Sequence, residues 1–380
     1  MYFVRATTDT LRRYVTAFPV VGITGPRQSG KTTLLRHCLP DYQYLTFDDQ
    51  LNVAHFEEDP KGFLAQYNQR VIFDEVQFVP ALFNHIKMMV DRDRLHYGRF
   101  IMTGSSQFAF LKNVSESLAG RIGLMVQLPL QFIEMPAALQ KESVFRGGYP
   151  ELVLRHYEYS DLWYAAYLDT YLTKDVRALA QIGDMRDFRK LIQLLAAHIS
   201  QTLDYTHYAN EIGVSATTIK RWVSVLEASY IIFLLPPYYH HFGKRVTKSP
   251  KIYFYDTGLV SYLTGISNSD LYNKGPLAGP LFENYVVSEI MKKIKHAADS
   301  TELYFLRTQD KAEIDLIVDR KTQRDFIEIK KSSTYTSKMS LTLRQYAEKN
   351  DRLFVLYNGE LMRQGNVQIW PYENYFLSTE

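Results

Sequence analysis

The 380-residue sequence is 46% hydrophobic and 22% charged, the balance of a folded globular chain, and its length suggests about two to four domains. No uncharged apolar run of roughly 18 residues marks a membrane span, a lone Cys38 excludes an internal disulfide, and a net charge of +3 is too small to prove a nucleic-acid partner. The start Met1-Tyr2-Phe3-Val4-Arg5 leads into polar and charged residues and does not read as a signal peptide, so a cytoplasmic location is the expectation.

The apolar run Val20-Val21-Gly22-Ile23-Thr24 reads as a strand, and Gly25-Pro26-Arg27-Gln28-Ser29-Gly30-Lys31-Thr32 follows it directly in the pattern G-x-x-x-x-G-K-[ST]. Glycines let the backbone curl so that N–H groups face phosphate oxygens. Lys31 supplies a cation, Thr32 a hydroxyl for Mg²⁺, and a helix opening at Lys31 adds its positive end. A bland glycine-rich turn is the competing reading, and strand, lysine and hydroxyl together weigh against it. Residues Gly25 through Thr33 are therefore expected to hold ATP. Cys38, among Leu34, Leu35 and Leu39 of that helix, reads as core.

Further apolar runs at Tyr42 to Phe47, Val71 to Phe73, Phe100 to Thr103 and Leu124 to Leu130 alternate with helical patterns, the signature of a parallel α/β sheet. Val71-Ile72-Phe73-Asp74-Glu75 ends in two acids: Asp74 to hold Mg²⁺ through water, Glu75 to orient and deprotonate the attacking water. Thr103 and Ser105, at the end of the next strand, are both candidates to sense the γ-phosphate, with a plain turn as the alternative. Arg121 is a candidate cation for the transferred phosphate, in cis or from a neighbouring subunit, which in the second case requires a homo-oligomer.

The series Ile23 to Gln28, Asp74-Glu75-Val76-Gln77, Thr103-Gly104-Ser105-Ser106 and Leu118-Ala119-Gly120-Arg121 resembles an AAA+-type ATPase of the archaeal-ATPase-like branch, and Gly147-Gly148-Tyr149-Pro150-Glu151 is similar to that family's linker. The resemblance implies a P-loop core followed by a C-terminal domain related to restriction endonucleases.

Past the linker, Trp163 to Leu179 and Phe188 to Ile199 read as amphipathic helices of a lid or packing module. Tyr205 to Leu226 has the offsets of a helix-turn-helix: small Ala209, turn Gly213, then a second helix from Ser215. The runs Ile231 to Leu235 and Ile252 to Tyr255 would make it winged. Between them, Lys244, Arg245, Lys248 and Lys251 are expected on a wing that touches phosphates, or on a solvated loop of a docking module. His240 and His241 lack a third ligand at matching spacing, so no zinc site is expected.

In the last third, Phe282, Val286, Ile290 and Ile294 mark a helix with Glu283 near its start. Leu303 to Arg307, Glu313 to Asp319 and Asp325 to Lys330 read as strands, and Leu353 to Tyr357 and Val367 to Trp370 as further strands around an Asn358-Gly359 turn. Asp315 and Glu328 are expected to grip Mg²⁺, Glu283 to complete the acidic shell, and Lys330 to polarise the attacking water beside a phosphodiester. Helix-Glu, strand-Asp and strand-Glu-x-Lys resemble the PD-(D/E)XK nuclease superfamily, with Ile314 where proline often stands.

The expected fold is α/β: a P-loop NTPase (AAA+-like) core over 1–135, a helical lid or linker over 136–200, a winged helix-turn-helix over 201–268 and a restriction-endonuclease-like domain over 269–380. The expected function is ATP hydrolysis controlling a Mg²⁺-dependent nuclease-like domain that acts on nucleic acid, DNA in the first instance. The alternative is a nucleotide-gated DNA- or protein-binding regulator that does not cut.

Overall fold

The computed structural model describes residues 2–104, 107–171, 185–238, 248–310 and 312–378. It divides into two units: Met1–Leu130 with Ala228–Tyr230 and Lys295–Ala298, and the rest of the chain from Gln131. Among the described residues no helix is long and apolar enough to cross a membrane.

The first unit is a parallel sheet of β1 (Val20–Thr24), β2 (Gln43–Thr46), β3 (Val71–Asp74), β4 (Phe100–Thr103) and β5 (Ile122–Val126), in the order β2-β3-β4-β1-β5. All residues of β1, β3 and β4 are buried, as expected of central strands covered on both faces. The two-residue period sends Val71, Phe73, Phe100 and Met102 into one core, with Phe83 and Ile86 of the helix Ala81–Arg92. Ile72, Ile101, Val21 and Ile23 enter the other, with Leu11 of α1 (Thr7–Ala17) and Leu34 and Leu35 of α2 (Lys31–Cys38). The strand expected over Leu124 to Leu130 starts and ends earlier. Beyond Val126 the backbone leaves the sheet, and Gln127 N–H donates to Thr24 O at 2.8 Å.

In the second unit, Asp204 caps the helix Tyr205–Ile212 by accepting from the N–H groups of Thr206 and His207, and Gly213, at φ 88°, ends it. A second helix, Ala216–Ala228, follows, preceded by Ser215, whose Oγ accepts from Thr218 N at 3.1 Å. Strands β6 (Ile232–Leu235) and β7 (Lys251–Phe254) then pair antiparallel. The helix expected over Trp163 to Leu179 runs from Ser160 to Tyr171, and its continuation lies outside the described residues, as do His240, His241, Lys244 and Arg245.

The C-terminal part of this unit is a mixed sheet: β8 (Glu302–Arg307), β9 (Glu313–Asp319), β10 (Arg324–Lys330), β11 (Arg352–Tyr357), β12 (Met362–Gln364) and β13 (Val367–Pro371), in the order β12-β13-β11-β10-β9-β8. The helix Ala278–Ala297 buries Phe282, Val286 and Ile290. One expectation is corrected: β11 and β13 are parallel, so no two-residue turn at Asn358-Gly359 joins them, and β12 forms the hairpin with β13 instead.

Candidate nucleotide site and acidic cluster

The glycine-rich loop emerges from the carboxyl end of β1, where ligands of parallel sheets bind. Gly25 has φ 144°, and a Cβ there would lie 2.1 Å from the carbonyl oxygen of Gln127, so only glycine fits. Gly30 takes the left-handed conformation (φ 89°) as the N-cap of α2, turning the chain into the helix whose positive end faces the loop. Gly25→Ala is expected to destabilise the chain by about 1–3 kcal/mol through overpacking and to weaken ATP binding. Urea unfolding and titration with a fluorescent ATP analogue check both.

Arg5 braces the loop from outside: its guanidinium donates to Ser29 O at 2.8 Å and to Leu128 O at 2.6 Å. Lys31 Nζ folds over the loop, donating to Gly25 O at 3.0 Å and Pro26 O at 2.9 Å. Ser29 is fully buried, and among the described residues its hydroxyl has no partner. A buried orphan donor beside a curled backbone and an ammonium suits a phosphate oxygen. Arg27 is half-buried, while Gln28 and Thr33 are exposed.

The two side chains expected to hold magnesium, Thr32 and Asp74, meet. Thr32 Oγ1 donates to Asp74 Oδ2 at 2.9 Å, and the Asp74 carboxylate takes two further hydroxyls, Thr103 Oγ1 and Tyr44 OH. A hydroxyl in the first turn of α2 and a buried carboxylate at the end of β3 fit the ion that accompanies a nucleotide, which when bound would neutralise phosphate charge. Tyr44 has no counterpart in the sequence reading. Burial, then its bond to Asp74, push its phenol up to about 12, so it stays a proton donor at neutral pH. Arg36 lies over its ring at 4.0 Å.

Glu75 takes the left-handed conformation, φ 56°, which redirects its side chain as the strand ends. Its N–H donates to Thr103 Oγ1 at 3.4 Å, and the amide of Gln77 donates to its carboxylate. Thr103 thus touches both acids, while Ser105 lies outside the described residues. Arg121 does not join this group. It precedes Ile122, the partner of Val20 at the amino end of the sheet, whereas the loop follows Thr24, the partner of Val126. At about 3.3 Å per residue the two edges stand about 13 Å apart. Its guanidinium is bound to Asp91 at 2.6 and 3.1 Å, so the in-cis role at its own loop is corrected.

The second constellation lies where β9 and β10 part. Their ladder stops at Leu316↔Ile327, and beyond it Asp315 Oδ2 accepts the N–H of Ile329 at 2.9 Å. Lys330 Nζ lies 3.3 Å from Asp315 Oδ2 and 2.6 Å from Glu328 Oε1, while Glu328 Oε2 is buried without a partner among the described residues. Glu283 accepts from Tyr253 OH at 2.7 Å and from Lys251 Nζ at 3.1 Å. Lys251, expected on a wing, is instead 1% exposed and also pairs with Glu313 at 2.5 Å.

Burial, followed by the nearby Asp315, lifts the Glu328 carboxyl to about 8 in spite of Lys330. Burial lifts that of Glu283 to about 7 against the pull of Lys251. For Lys251, burial disfavours the charge, but the surrounding carboxylates, Glu283 first, outweigh it and hold the ammonium well above its ordinary value. The carboxylates named for Mg²⁺ thus come together with two lysines among them. Among the described residues no three His, Cys, Asp or Glu side chains form a metal-holding group.

Residues 17–136 match an AAA domain, 138–270 a domain of unknown function (DUF8612) and 278–375 another (DUF4143). The uncharacterized protein Rv2008c of Mycobacterium tuberculosis is 32% identical over 352 residues, spanning 92% of this chain and 79% of its own. The same figures hold for the uncharacterized protein Mb2031c of Mycobacterium bovis. Among solved structures, the Walker-type ATPase Paby2304 of Pyrococcus abyssi is similar over 69% of this chain and 96% of its own, at 14% identity and a TM-score of 0.45. The AAA match covers the loop, Asp74 and Glu75 described above, and with them ATP binding and hydrolysis. The chain belongs to the family of Rv2008c and Mb2031c, and its amino-terminal part is a P-loop ATPase of the AAA type.

Proposed function

We propose that this ATPase uses Mg²⁺ with Thr32 and Asp74, takes Glu75 as the base for the attacking water, and couples turnover to a nucleic acid, DNA in the first instance. The observation that carries the nucleic-acid part is the second helix of the helix-turn-helix. Ile219, Trp222, Val223 and Leu226 are buried, and Thr217, Lys220, Arg221 and Ser224 are exposed on the opposite face. Neither Lys220 nor Arg221 makes an ion pair among the described residues, so two cations stand on one exposed helix face beside the Thr217 hydroxyl, while Ser224 Oγ donates to Lys220 O at 3.0 Å. Such a face suits phosphate and base-edge contacts in a major groove, with β6 and β7 read as the wing and exposed Lys248 beside it.

Duplex DNA, single-stranded DNA and RNA, titrated by fluorescence anisotropy with and without ATP, test this reading. Replacing Lys220 and Arg221 together with alanine is expected to weaken duplex binding and to lower the salt slope by about two. An unchanged slope and affinity would remove the helix from the interface.

At the C-terminal cluster the first reading is Mg²⁺-dependent cleavage by Asp315, Glu328 and Lys330 with Glu283. The second, a nucleotide-gated binder that does not cut, is favoured by one observation: Lys251 lies among the same carboxylates. Plasmid incubated with Mg²⁺ and ATP separates the two, and cleavage lost on Lys330→Ala would establish the first.

A further inference from the structure

We propose that Lys251 is the resident cation of the acidic cluster, filling between Glu283 and Glu313 the place of a divalent metal, so that the C-terminal part of the chain holds its carboxylates together without one.

Four carboxylates, Glu283, Glu313, Asp315 and Glu328, are gathered here from the helix Ala278–Ala297, β9 and β10. Gathered acids repel and must be neutralised by protons, by metal or by cations of the chain itself. Lys251 Nζ contacts Glu283 Oε1 at 3.1 Å and Glu313 Oε1 at 2.5 Å, Arg307 adds a guanidinium 3.6 Å from Glu313, and Lys330 spans Asp315 and Glu328. Every acid of the cluster therefore faces an ammonium or guanidinium of the chain.

Lys251 is not a surface lysine that has folded inward. It opens β7, pairs with Leu235 of β6 and makes a bridge with Thr202, so its backbone is fixed from two sides. Its side chain crosses Phe305, with Nζ 5.5 Å from the ring centre, and Glu283 Oε1 takes a second donor from Tyr253 two residues along the strand. A magnesium ion needs oxygen ligands at about 2.0–2.1 Å in near-octahedral array and retains waters. With Lys251 in place, Glu283 and Glu313 cannot turn toward such an ion without leaving a buried ammonium unpaired.

This inference deepens the second reading of the cluster, and its test uses no nucleic acid, so a chain that fails to bind DNA leaves it standing or falling on its own. Mn²⁺ is titrated into the full-length chain without nucleotide, bound ion being counted by paramagnetic resonance, in an Asp74→Asn background that removes the ATPase metal site. With Lys251 present, no Mn²⁺ dependent on Glu283 is expected. Lys251→Ala is expected to lower the melting temperature, to gain one Mn²⁺ per chain that Glu283→Gln abolishes, and to regain stability when Mn²⁺ is added. Lys251→Arg, which keeps a cation, should gain none. A Mn²⁺ bound with Lys251 present and lost on Glu283→Gln would overturn the proposal. A folded Lys251→Ala chain that takes no Mn²⁺ would overturn it equally. If the alanine variant does not fold, the comparison of Lys251-containing chains with and without Glu283→Gln still decides.

Discussion

Glu75→Gln is expected to lower kcat for ATP turnover by about 10²- to 10⁴-fold, the usual contribution of a positioned general base, while leaving ATP affinity unchanged. The separation follows from the geometry. In the proposed arrangement the loop, Ser29 and Lys31 hold the phosphates and Thr32 and Asp74 the metal, and Glu75 is assigned to neither task. Its left-handed backbone turns it away from the path of β3, and among the described residues Thr103 holds it through its N–H and Gln77 through its carboxylate. A glutamine keeps the size and both hydrogen-bonding positions but cannot take a proton at neutral pH. Single-turnover hydrolysis with radiolabelled ATP, beside equilibrium binding of the same nucleotide, separates the two quantities. Equal losses in both would mean that Glu75 supports the fold of the loop, and the base would have to be sought elsewhere.

What was legible in the sequence was what local physics decides. A central parallel strand is buried on both faces and must be apolar throughout, so β3 and β4 announce themselves, and the phosphate loop does so because glycine, lysine and threonine are required within eight positions. The other partners of the same site come from far along the chain. Tyr44 reaches Asp74 across 30 residues, and Arg5 reaches Ser29 across 24 and Leu128 across 123. A tyrosine in a strand and an arginine near the start carry no local mark of such contacts. Lys251 shows a different failure: in a basic run a lysine reads as solvated, and only the neighbouring carboxylates of Glu283 and Glu313, brought up by tertiary structure, make its burial tolerable. The in-cis alternative for Arg121 fails for a related reason, because a loop arginine near a nucleotide-binding sheet has no sequence mark of which sheet edge it occupies.

Asp325→Ala is expected to be among the most destabilising single changes in the second unit, costing about 3–5 kcal/mol, the range for removing one partner of a buried ionic group. Asp325 is fully buried at the start of β10 and accepts from Arg320 Nη1 at 2.6 Å, Arg352 Nε at 2.6 Å and Tyr375 OH at 2.6 Å. Its carboxylate holds two guanidiniums together. Without it they repel, and the partial exposure of both, 26% for Arg320 and 17% for Arg352, lets water soften that repulsion and places the expected loss toward the lower end of the range. Asp325→Asn keeps the shape and an acceptor oxygen and should lose less. The consequence reaches the acidic cluster, because β10 carries Glu328 and Lys330 three and five residues beyond Asp325. Urea unfolding followed by fluorescence of Trp370, with the other tryptophans Trp163 and Trp222 replaced by phenylalanine, reports this sheet alone, and a midpoint equal to that of the Asp325-containing parent would show that the network contributes nothing to its stability.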